Sequence, residues 1–371
     1  MNLFYPYNEI LPKKRAHDVF IFQQCAALTH LGCEVSLLIG SGSESKEELF
    51  RYYAMAPTPK LKIMQLPIVR KNNPFNLSWN YPFFSATQRR ICKEKPDWVI
   101  LSVFKQGHYH FSKKVKGIRY LYEVHELTTY PHLPISPLLA QEKAMLSLAD
   151  RIITTTEALK ELLLNPPYSL TNPIDVIPLA AIRTPLPEKE KEEGKLTLAY
   201  VGQLYPEQGI ATLLEAIKKT SGVHLLIIGG KVEEITHYRA LAEKLSLTPC
   251  VTFLGFVPPK DLTPLVADAD AFVAPFEKQG RMPYVAHTKL HEYAAWGRPF
   301  LASNLPPVRE HFSPENGVLL FEPGNPTSLA HSLSLLQNKD TFRSLQQAAR
   351  RNVNRFTWHS RATHYQQTLL P

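Results

Sequence analysis

The segment from His287 to Ser303 contains a lysine and a glutamate whose spacing suits the binding of phosphate and sugar. Lys289 and Glu292 are three residues apart, so on a helix they share one face near its first turn. The amides of a helix start favour an anion, and a lysine adds a positive charge. A glutamate accepts two hydrogen bonds from a sugar diol. The pattern predicts a site for a phosphorylated ligand, although an ordinary amphipathic surface helix has the same pattern.

The rest of this segment predicts a helix followed by a buried strand. Leu290, Tyr293 and Ala294 form an apolar stripe at helical spacing. Gly297 is a typical helix stop, and Pro299 prevents the helix from resuming. A short apolar run follows, as expected of a strand inside a parallel sheet.

Length and composition indicate a globular protein with two domains. The chain has 371 residues, of which 44% are hydrophobic and 20% are charged. No apolar run approaches the roughly 20 residues that span a bilayer, and the N-terminal segment lacks the pattern of a signal peptide. These features predict a cytoplasmic protein.

The cysteine pattern argues against a metal site and against disulfides. Cys25, Cys33, Cys92 and Cys250 show no CxxC spacing and stand in apolar surroundings. We therefore expect buried, reduced thiols and no bound zinc.

The positive charge is concentrated in the first half of the chain. The net charge is +9, and residues 1–183 hold 22 Lys and Arg against 15 Asp and Glu. Zinc-finger spacing, a helix-turn-helix signal and an aromatic RNA-binding strand are all missing, so an anionic membrane surface is favoured over nucleic acid as the partner. A solvated basic face is the alternative. The clusters are Lys13-Lys14-Arg15, Arg89-Arg90-Ile91-Cys92-Lys93 and Lys113-Lys114-Val115-Lys116.

Short apolar strands alternate with amphipathic helices along the first half, which predicts a parallel sheet covered on both sides. One such helix runs from Ala16 to Leu31 and stops at Gly32. The aromatic residues Trp79, Tyr81, Phe83 and Phe84 are expected mainly in the core. The predicted strands are Asn2–Tyr5, Glu34–Ile39, Leu61–Gln65, Asp97–Ser102, Arg119–Val124, Arg151–Thr154 and Asp175–Ile177.

The alternation restarts after a segment rich in Pro, Glu and Lys, so the sequence predicts a second doubly wound domain. We expect a first domain over 1–183, a solvated linker over 184–194 and a second domain over 195–354. A C-terminal helix over 355–371 is expected to pack back on the first domain. The predicted strands of the second domain are Leu196–Val201, Val223–Ile228, Val251–Leu254 and Ala271–Ala274, and the predicted helices include Val232–Leu245 and Asp261–Ala267.

Several runs of the second half occur in the order and spacing of one known family. They are AYVGQLYPEQGIATLLEAI, LLIIGG, VTFLGFVPPKDLTPLVADADAFVAPF, KLHEYAAWGRPFLAS and GVLLFEPGNPTSLAHSL. In the first half YEVHEL, LADRIITTTEALKELL and DVIPLAA add to the likeness. The chain resembles the GT-B glycosyltransferases of glycosyltransferase family 4.

This resemblance implies two Rossmann-like domains that face each other across a cleft. It also implies a retaining transferase that moves a hexose or N-acetylhexosamine from a nucleotide-sugar to a glycan, a lipid-linked glycan or a glycolipid. No metal and no cofactor beyond the nucleotide-sugar donor would be required, and the second domain would hold the nucleotide.

The resemblance assigns the donor site to the second domain. Glu292 matches the second glutamate of the family's E-x7-E motif, which is expected to bind ribose, and Lys289 is expected to contact the diphosphate. Tyr284 stands where the first glutamate would fall, which is common in the KLxEY subtype. The other candidate donor-binding residues are Gly202, Gln203, Gln208, Gly255, Phe256, Val257, Thr288 and Leu290.

The chain departs from the family at the phosphate clamp. Gln203 and Gln208 replace an arginine and a lysine. Charged donors form stronger hydrogen bonds than neutral ones, so the departing diphosphate would be less well stabilised. Lys289 or the start of its helix is expected to compensate, with Arg281 and Lys278 as further candidates.

His125 is the candidate catalytic residue of the first domain. It follows the predicted strand Arg119–Val124 and matches the family histidine near the donor sugar, where it would stabilise charge or hold sugar hydroxyls. On the acceptor side the candidates are Lys14, Arg15, His17 and Glu126, of which Glu126 is equally consistent with a helix cap.

Two other classes of protein use the same kind of fold. A sugar-nucleotide epimerase needs carboxylates that move a proton, for which Glu126 and Glu277 are the candidates. A non-catalytic nucleotide-sugar-binding protein would accommodate Gln203 and Gln208. A dehydrogenase is disfavoured because GxGxxG follows the first strand of neither half.

Overall fold

The chain folds into two compact units. A computed structural model describes residues 1–13, 16–42, 44–53, 57–70, 79–129 and 136–370, without the side chains of 16, 259 and 260. Unit 1 comprises Met1–Pro178 and Trp358–Pro371, and unit 2 comprises Leu179–Thr357. Lys14 and Arg15, which the sequence analysis places on the acceptor side, lie outside the described residues.

Unit 1 is built on a parallel sheet with helices between its strands. Over the described residues the sheet has seven strands in the order β3-β2-β1-β4-β5-β6-β7. The strands are β1 (Asn2–Ile10), β2 (Glu34–Gly40), β3 (Leu61–Leu66), β4 (Trp98–Leu101), β5 (Arg119–Val124), β6 (Arg151–Thr154) and β7 (Ile174–Val176). The helices between them are α1 (Ala16–His30), α2 (Lys46–Tyr52), α3 (Tyr81–Glu94), α4 (Phe104–Phe111), α5 (Pro137–Ser147) and α6 (Glu157–Leu164).

Unit 2 repeats this topology with six strands over the described residues, in the order β10-β9-β8-β11-β12-β13. The strands are β8 (Leu196–Val201), β9 (Val223–Ile228), β10 (Val251–Gly255), β11 (Ala271–Ala274), β12 (Phe300–Ser303) and β13 (Val318–Phe321). The helices are α7 (Ile210–Lys218), α8 (Val232–Lys244), α9 (Pro259–Val266), α10 (Thr288–Trp296), α11 (Pro306–Arg309), α12 (Pro326–Gln337) and α13 (Lys339–Arg351). The last helix of the chain, α14 (Trp358–Leu369), belongs to unit 1.

The fold class predicted from the sequence is confirmed. Each unit is a doubly wound parallel sheet, and five strands have the predicted bounds, because continuous apolar runs bounded by turn residues mark buried parallel strands well. β1 is longer than predicted. It pairs with β4 at Leu3 and Phe4, before Pro6, so the missing N–H of Pro6 does not interrupt that ladder.

Helix α1 is more deeply buried than the predicted amphipathic pattern implies. Its residues from Phe20 to Thr29 are all buried. Helix α14 covers the outer side of α1, where the ring of Trp358 lies 5.2 Å from that of Phe20 and the amide of Gln366 donates to the carbonyl of Leu31 (3.1 Å). Burial on all sides is expected of a helix that a second layer covers, and the buried amide of Gln24 in α1 has a hydrogen-bond partner on α14.

Two of the four aromatic residues expected in the core lie at the surface. Phe83 and Phe84 are buried, whereas Trp79 is 56% exposed and Tyr81 is 50% exposed. The rings of Trp79 and Tyr81 stack on each other at 5.6 Å between centroids, so each covers one face of the other instead of packing into the core.

The predicted thiols and linker also differ in part from the structure. All four cysteines are free, but Cys92 is exposed and Cys250 is only partly buried, because both lie near the ends of elements rather than in their centres. Within 184–194, Leu186 is 1% exposed and Lys191 is 5% exposed. Lys191 forms an ion pair with buried Asp270 (3.7 Å), which accounts for the burial of a charged side chain in a segment predicted to be solvated.

Within the part of the chain that the structure describes, no helix is both long enough and apolar enough to cross a bilayer.

Three glycines mark the carboxyl ends of adjacent strands in unit 2. Gly202 follows β8, Gly229 follows β9, and Gly255 ends β10. The amide of Gly202 donates to the carbonyl of Ile228 (2.9 Å), and that of Gly229 donates to the carbonyl of Gly255 (2.7 Å). Gly229 has a φ of +113°, and a Cβ there would lie 2.1 Å from the carbonyl oxygen of Gly202. The close approach of these strand ends therefore requires glycine.

We predict that Gly229→Ala lowers the free energy of unfolding of unit 2 by about 1–3 kcal/mol or more. The added methyl group would collide with backbone atoms of Gly202, and alanine disfavours the positive φ at this position. Gly194→Ala is the matched control, since Gly194 has a φ of +74° with open space around its Cβ position. Thermal and denaturant unfolding of both variants provide the comparison. An equal loss of stability in the two variants would show that the crowding at Gly229 has no energetic effect.

Candidate functional site

The candidate site of unit 2 lies at the point where the strand order reverses. β8 is flanked by β9 and β11, so the chain leaves β8 in one direction and later returns on its other side. Ligands of doubly wound sheets bind beyond the carboxyl ends of the strands at such a point. Helix α10 begins at Thr288 and carries Lys289 in its first turn, as the sequence predicts.

The ammonium group of Lys289 reaches the carboxyl end of β8. Its Nζ donates to Oε1 of Gln208 (2.7 Å) and to the hydroxyl of Tyr200 (2.8 Å). The same Nζ lies 4.1 Å from the centre of the Tyr200 ring and 5.3 Å from that of Phe276. A Cβ on Gly202 would lie 2.7 Å from this Nζ, so the glycine leaves room for the lysine.

Burial sets the charge of the two residues that the sequence analysis singles out. Burial lowers the pKa of Lys289 to about 7, while the neighbouring Glu292 opposes that change. Burial raises the pKa of Glu292 to about 7, opposed by Lys289. Both groups therefore change charge near neutral pH, and an anion beside Lys289 would favour its protonated form.

The two glutamines at the expected phosphate clamp lie in different environments. Gln208 accepts the hydrogen bond from Lys289, and a neutral amide suits this contact because a second ammonium there would repel the first. Gln203 has an exposed side chain, and its carbonyl accepts from the hydroxyl of Tyr200. The ammonium of Lys289 therefore lies at Gln208, one of the two positions where the family has a charged clamp residue. This is the placement expected if Lys289 compensates for the missing charge.

The other predicted donor residues are divided between the ends of two elements. Gly255 ends β10 next to Phe256, which is 57% exposed, and Val257 packs partly against the core. At α10, Leu290 is 1% exposed and its side chain lies in the core, which leaves its backbone as the part that a ligand would meet. Tyr284, in the loop before α10, is half-buried.

Two tyrosines build this site through hydroxyl groups whose roles the sequence did not predict. Tyr200 is fully buried in β8 and links the Lys289 ammonium to the carbonyl of Gln203. The hydroxyl of Tyr293 accepts from the amide of Val201 (3.0 Å) and thereby holds α10 to the end of β8. Both stand at positions whose apolar neighbours indicate core packing, so the pattern gave no signal for their polar ends.

Glu277, a candidate proton-transfer group, has a structural contact. Its Oε1 accepts from the hydroxyl of Thr212 (2.6 Å), and its amide donates to the carbonyl of Glu207 (3.0 Å). These bonds tie the loop after β11 to α7 and to the segment before it. The other candidate, Glu126, is exposed and belongs to unit 1. The contacts of Glu277 give it a structural role in unit 2.

In unit 1, His125 follows β5 directly and is surrounded by aromatic rings. Its side chain is 21% exposed, and its ring lies 4.7 Å from Phe20 and 5.2 Å from His17. Burial, followed by the nearby charges of His17 and Arg361, holds the pKa of His125 well below its usual range. The imidazole is therefore neutral at physiological pH.

The remaining acceptor-side candidates in unit 1 fall at two places. His17 lies in the first turn of α1, 5.5 Å from the ring of Tyr7 as well as beside His125. Glu126 does not cap the next helix, because the N-terminal cap of α5 is Ser136.

The loop after His125 is held by a carboxylate that the sequence analysis also missed. Buried Glu142 accepts from the amides of Thr128 (2.7 Å) and Thr129 (3.2 Å) and from the hydroxyl of Tyr168 (2.8 Å). A helix glutamate has no distinguishing sequence signal, which is why this role could not be predicted.

Among the described residues, no group of three or more His, Cys, Asp and Glu side chains is arranged to hold a metal ion. The expectation that no metal is required stays a prediction.

Two family models match the chain, one in each half. Residues 18–180 match the model described as Glycosyltransferase Family 4, and residues 195–339 match the model described as Glycosyl transferases group 1. No curated protein matches the sequence significantly.

Solved structures resemble the whole chain at low sequence identity. The sucrose-phosphate synthase of Thermosynechococcus elongatus is 19% identical with a TM-score of 0.75, over 99% of this chain and 98% of that chain. The Anabaena protein HepE in complex with UDP-glucose is 13% identical with a TM-score of 0.69, over 100% and 99%. WaaB, a lipopolysaccharide outer core galactosyltransferase, is 15% identical with a TM-score of 0.70, over 100% of both chains.

The chain therefore has the GT-B fold, with two Rossmann-like domains. Identities this low show the fold and nothing finer. Taken together with the two family matches, the fold supports a glycosyltransferase of the GT-B type.

Proposed function

We propose that the chain is a retaining glycosyltransferase of family 4. It moves a hexose or N-acetylhexosamine from a nucleotide-sugar to a glycan, a lipid-linked glycan or a glycolipid, and it requires no metal. The observation that carries this proposal is the ammonium of Lys289 at the strand-order reversal of unit 2, held by neutral acceptors at the end of β8. The family matches in both halves and the complex of HepE with UDP-glucose add support.

In this proposal unit 2 binds the donor. Lys289 and the first amides of α10 hold the diphosphate, and Glu292, one turn further on, accepts hydrogen bonds from the ribose hydroxyls. Negative charge grows on the diphosphate as the glycosidic bond breaks. A cation already fixed in a partly buried site stabilises that charge without reorganisation.

Lys289 takes the place of the missing clamp charges in this proposal. Gln208 orients the ammonium and Gln203 is available to donate from its exposed side chain. In unit 1, neutral His125 donates to or accepts from a sugar hydroxyl at the reaction centre, a role that its lowered pKa favours.

A non-catalytic nucleotide-sugar-binding protein is the second candidate. The observation that favours it is the pair of neutral side chains, Gln203 and Gln208, at the expected clamp. The two candidates share the donor site and differ in turnover.

We predict that one nucleotide-glucose among the UDP, GDP and ADP forms raises the melting temperature of the full chain, since a ligand at about 100 times its Kd stabilises by about 2.7 kcal/mol. Lys289→Met and Glu292→Gln are expected to abolish or strongly reduce the increase. Lys218→Met is the control, because Lys218 is exposed at the end of α7. No increase with any of the three, nor with UDP, GDP or ADP themselves, would contradict the donor site.

Release of nucleotide from that donor, with and without a panel of glycan and lipid-linked acceptors, separates the candidates. A transferase releases nucleotide faster when its acceptor is present, and a binding protein releases none with or without acceptor.

We predict that the affinity for the same nucleotide-sugar falls as pH rises through about 7. Its diphosphate stays fully ionised, whereas Lys289 loses its positive charge above its pKa of about 7. Between about pH 6 and pH 8.5 the Kd should rise by about tenfold or more, because the charged fraction of Lys289 falls from about nine-tenths to a few hundredths over this range. Calorimetric titration of the nucleotide-sugar at several pH values measures this change in Kd.

Lys289→Arg is the matched variant for the pH dependence, because a guanidinium stays charged over this range. Its affinity should vary much less with pH. The same steep pH dependence in wild type and Lys289→Arg would exclude Lys289 as the titrating group.

Two of the basic clusters in unit 1 form one basic surface. We define it as the exposed Arg89, Arg90 and Lys93 of α3 and Lys113, Lys114 and Lys116 after α4. The side chain of Gln88 joins the two elements by donating to the carbonyl of Lys113 (2.8 Å). Arg90 and Lys114 pair with Glu94 (3.0 Å) and Asp150 (2.7 Å), so the other four carry the excess charge.

We predict that this basic surface binds vesicles of phosphatidylcholine mixed with phosphatidylglycerol and does not bind phosphatidylcholine alone. Each basic residue near the lipid contributes about 1 kcal/mol, and salt weakens the effect. The double variant Arg89→Glu with Lys93→Glu should reduce co-sedimentation, whereas Lys218→Glu with Lys219→Glu in unit 2 should not. If both double variants bound the anionic vesicles equally well, the basic surface would not be the part of the protein that contacts the membrane.

A further inference from the structure

The C-terminal helix places a buried arginine at the carboxyl end of β5. Arg361 is 3% exposed, and its Nη2 forms an ion pair with Oε1 of Glu123, which is fully buried. Its Nε donates to Oε1 of Gln24 (2.7 Å), and its Nη1 donates to the carbonyls of Ile177 (2.6 Å) and Pro178. These four acceptors fix the guanidinium.

The carboxylate of Glu123 lies between this arginine and the imidazole of His125. Its Oε2 accepts from the hydroxyls of Tyr5 (3.1 Å) and Tyr365 (3.3 Å), and its Oε1 accepts from Arg361. The same Oε1 lies 3.5 Å from Nε2 of His125. One oxygen therefore faces both a permanent cation and the candidate catalytic histidine.

Three elements present titratable or charged groups to His125. β5 contributes Glu123, α1 contributes His17, and α14 contributes Arg361. Arg361 neutralises Glu123, so the pair as a whole gives His125 no net negative charge. Nε2 of His125 is buried and has no hydrogen-bond partner among the described residues, so the nearby Oε1 of Glu123 can act on its charge without competition from solvent.

We propose that Arg361 is a positioning residue for His125. By pairing with Oε1 of Glu123, it offsets the charge of that carboxylate and so keeps the nearby imidazole of His125 neutral. Without the guanidinium, a buried carboxylate 3.5 Å from Nε2 would favour the imidazolium and draw the ring toward itself. The consequence for catalysis rests on the proposed function, whereas the consequence for the charge of His125 does not.

The first test measures the titration of His125 in the full chain by NMR of its imidazole carbons, with the signal assigned from its loss in His125→Asn. Arg361→Met should raise the pKa of His125 by at least about one pH unit, because it exposes the ring to an unbalanced negative charge. Glu123→Gln should lower it, because it leaves the guanidinium unbalanced. Arg361→Lys, which keeps the charge, should leave the pKa within a few tenths of the wild-type value.

The double variant Arg361→Met with Glu123→Gln removes both charges and should restore a low pKa. It also avoids a buried unpaired charge, so it keeps the inference testable where Arg361→Met alone does not fold. Absence of any change in the titration of His125 in Glu123→Gln and in the folded Arg361 variants would overturn the proposal. The proposal would also be overturned if Glu123 took up the proton in Arg361→Met and the titration of His125 did not change.

The second test uses transfer activity, and its failure is distinct from that of the first. In Arg361→Met the kcat should fall at neutral pH and its acidic limb should move to higher pH, while the KM for the donor changes little. A merely structural role would lower activity equally at every pH. Inactivity of the wild type toward all donors would remove the proposed function but leave the NMR result, and with it the electrostatic role of Arg361, intact.

Discussion

The cost of removing a lysine ammonium from water is the constraint on which the candidate site of unit 2 depends. Among the described residues, Lys289 is held by the neutral oxygens of Tyr200 and Gln208, which satisfy its hydrogen bonds without cancelling its charge. Burial correspondingly lowers its pKa to about 7. Such a site gains most from an anionic ligand, because the ligand adds negative charge beside a cation that the neighbouring Glu292 only partly compensates.

Unit 1 has the same strand order around its centre, but its buried cation is compensated by a buried carboxylate. Its buried cation, Arg361, is paired with a buried carboxylate, Glu123, and the two cancel. What remains at the end of β5 is a neutral imidazole, His125. One fold thus presents a lysine ammonium at the strand ends of one unit and an uncharged imidazole at those of the other, in keeping with their different proposed roles in sugar transfer.

The sequence predicted the fold well because the strands of a parallel sheet have a distinctive residue pattern. Strands buried on both faces are continuous apolar runs, and the glycines at their ends, such as Gly202 and Gly229, mark close approaches that other residues cannot make. Where burial depends on a distant element the prediction was less accurate. Helix α1 was expected to have a solvent face, but α14, which comes more than three hundred residues later, covers it.

The sequence by itself determined the fold class of doubly wound parallel sheets, the position of Lys289 and Glu292 near the start of one helix, and the location of His125 at a strand end. Each of these follows from local periodicity or from a motif. Only the tertiary structure decided which groups set their charge: Tyr200 and Gln208 for Lys289, and Glu123 with Arg361 for His125. Tyr200 and Gln208 lie 89 and 81 residues from Lys289, and Arg361 lies 238 residues from Glu123. Their effect depends on distance and desolvation in space, for which a linear pattern carries no signal.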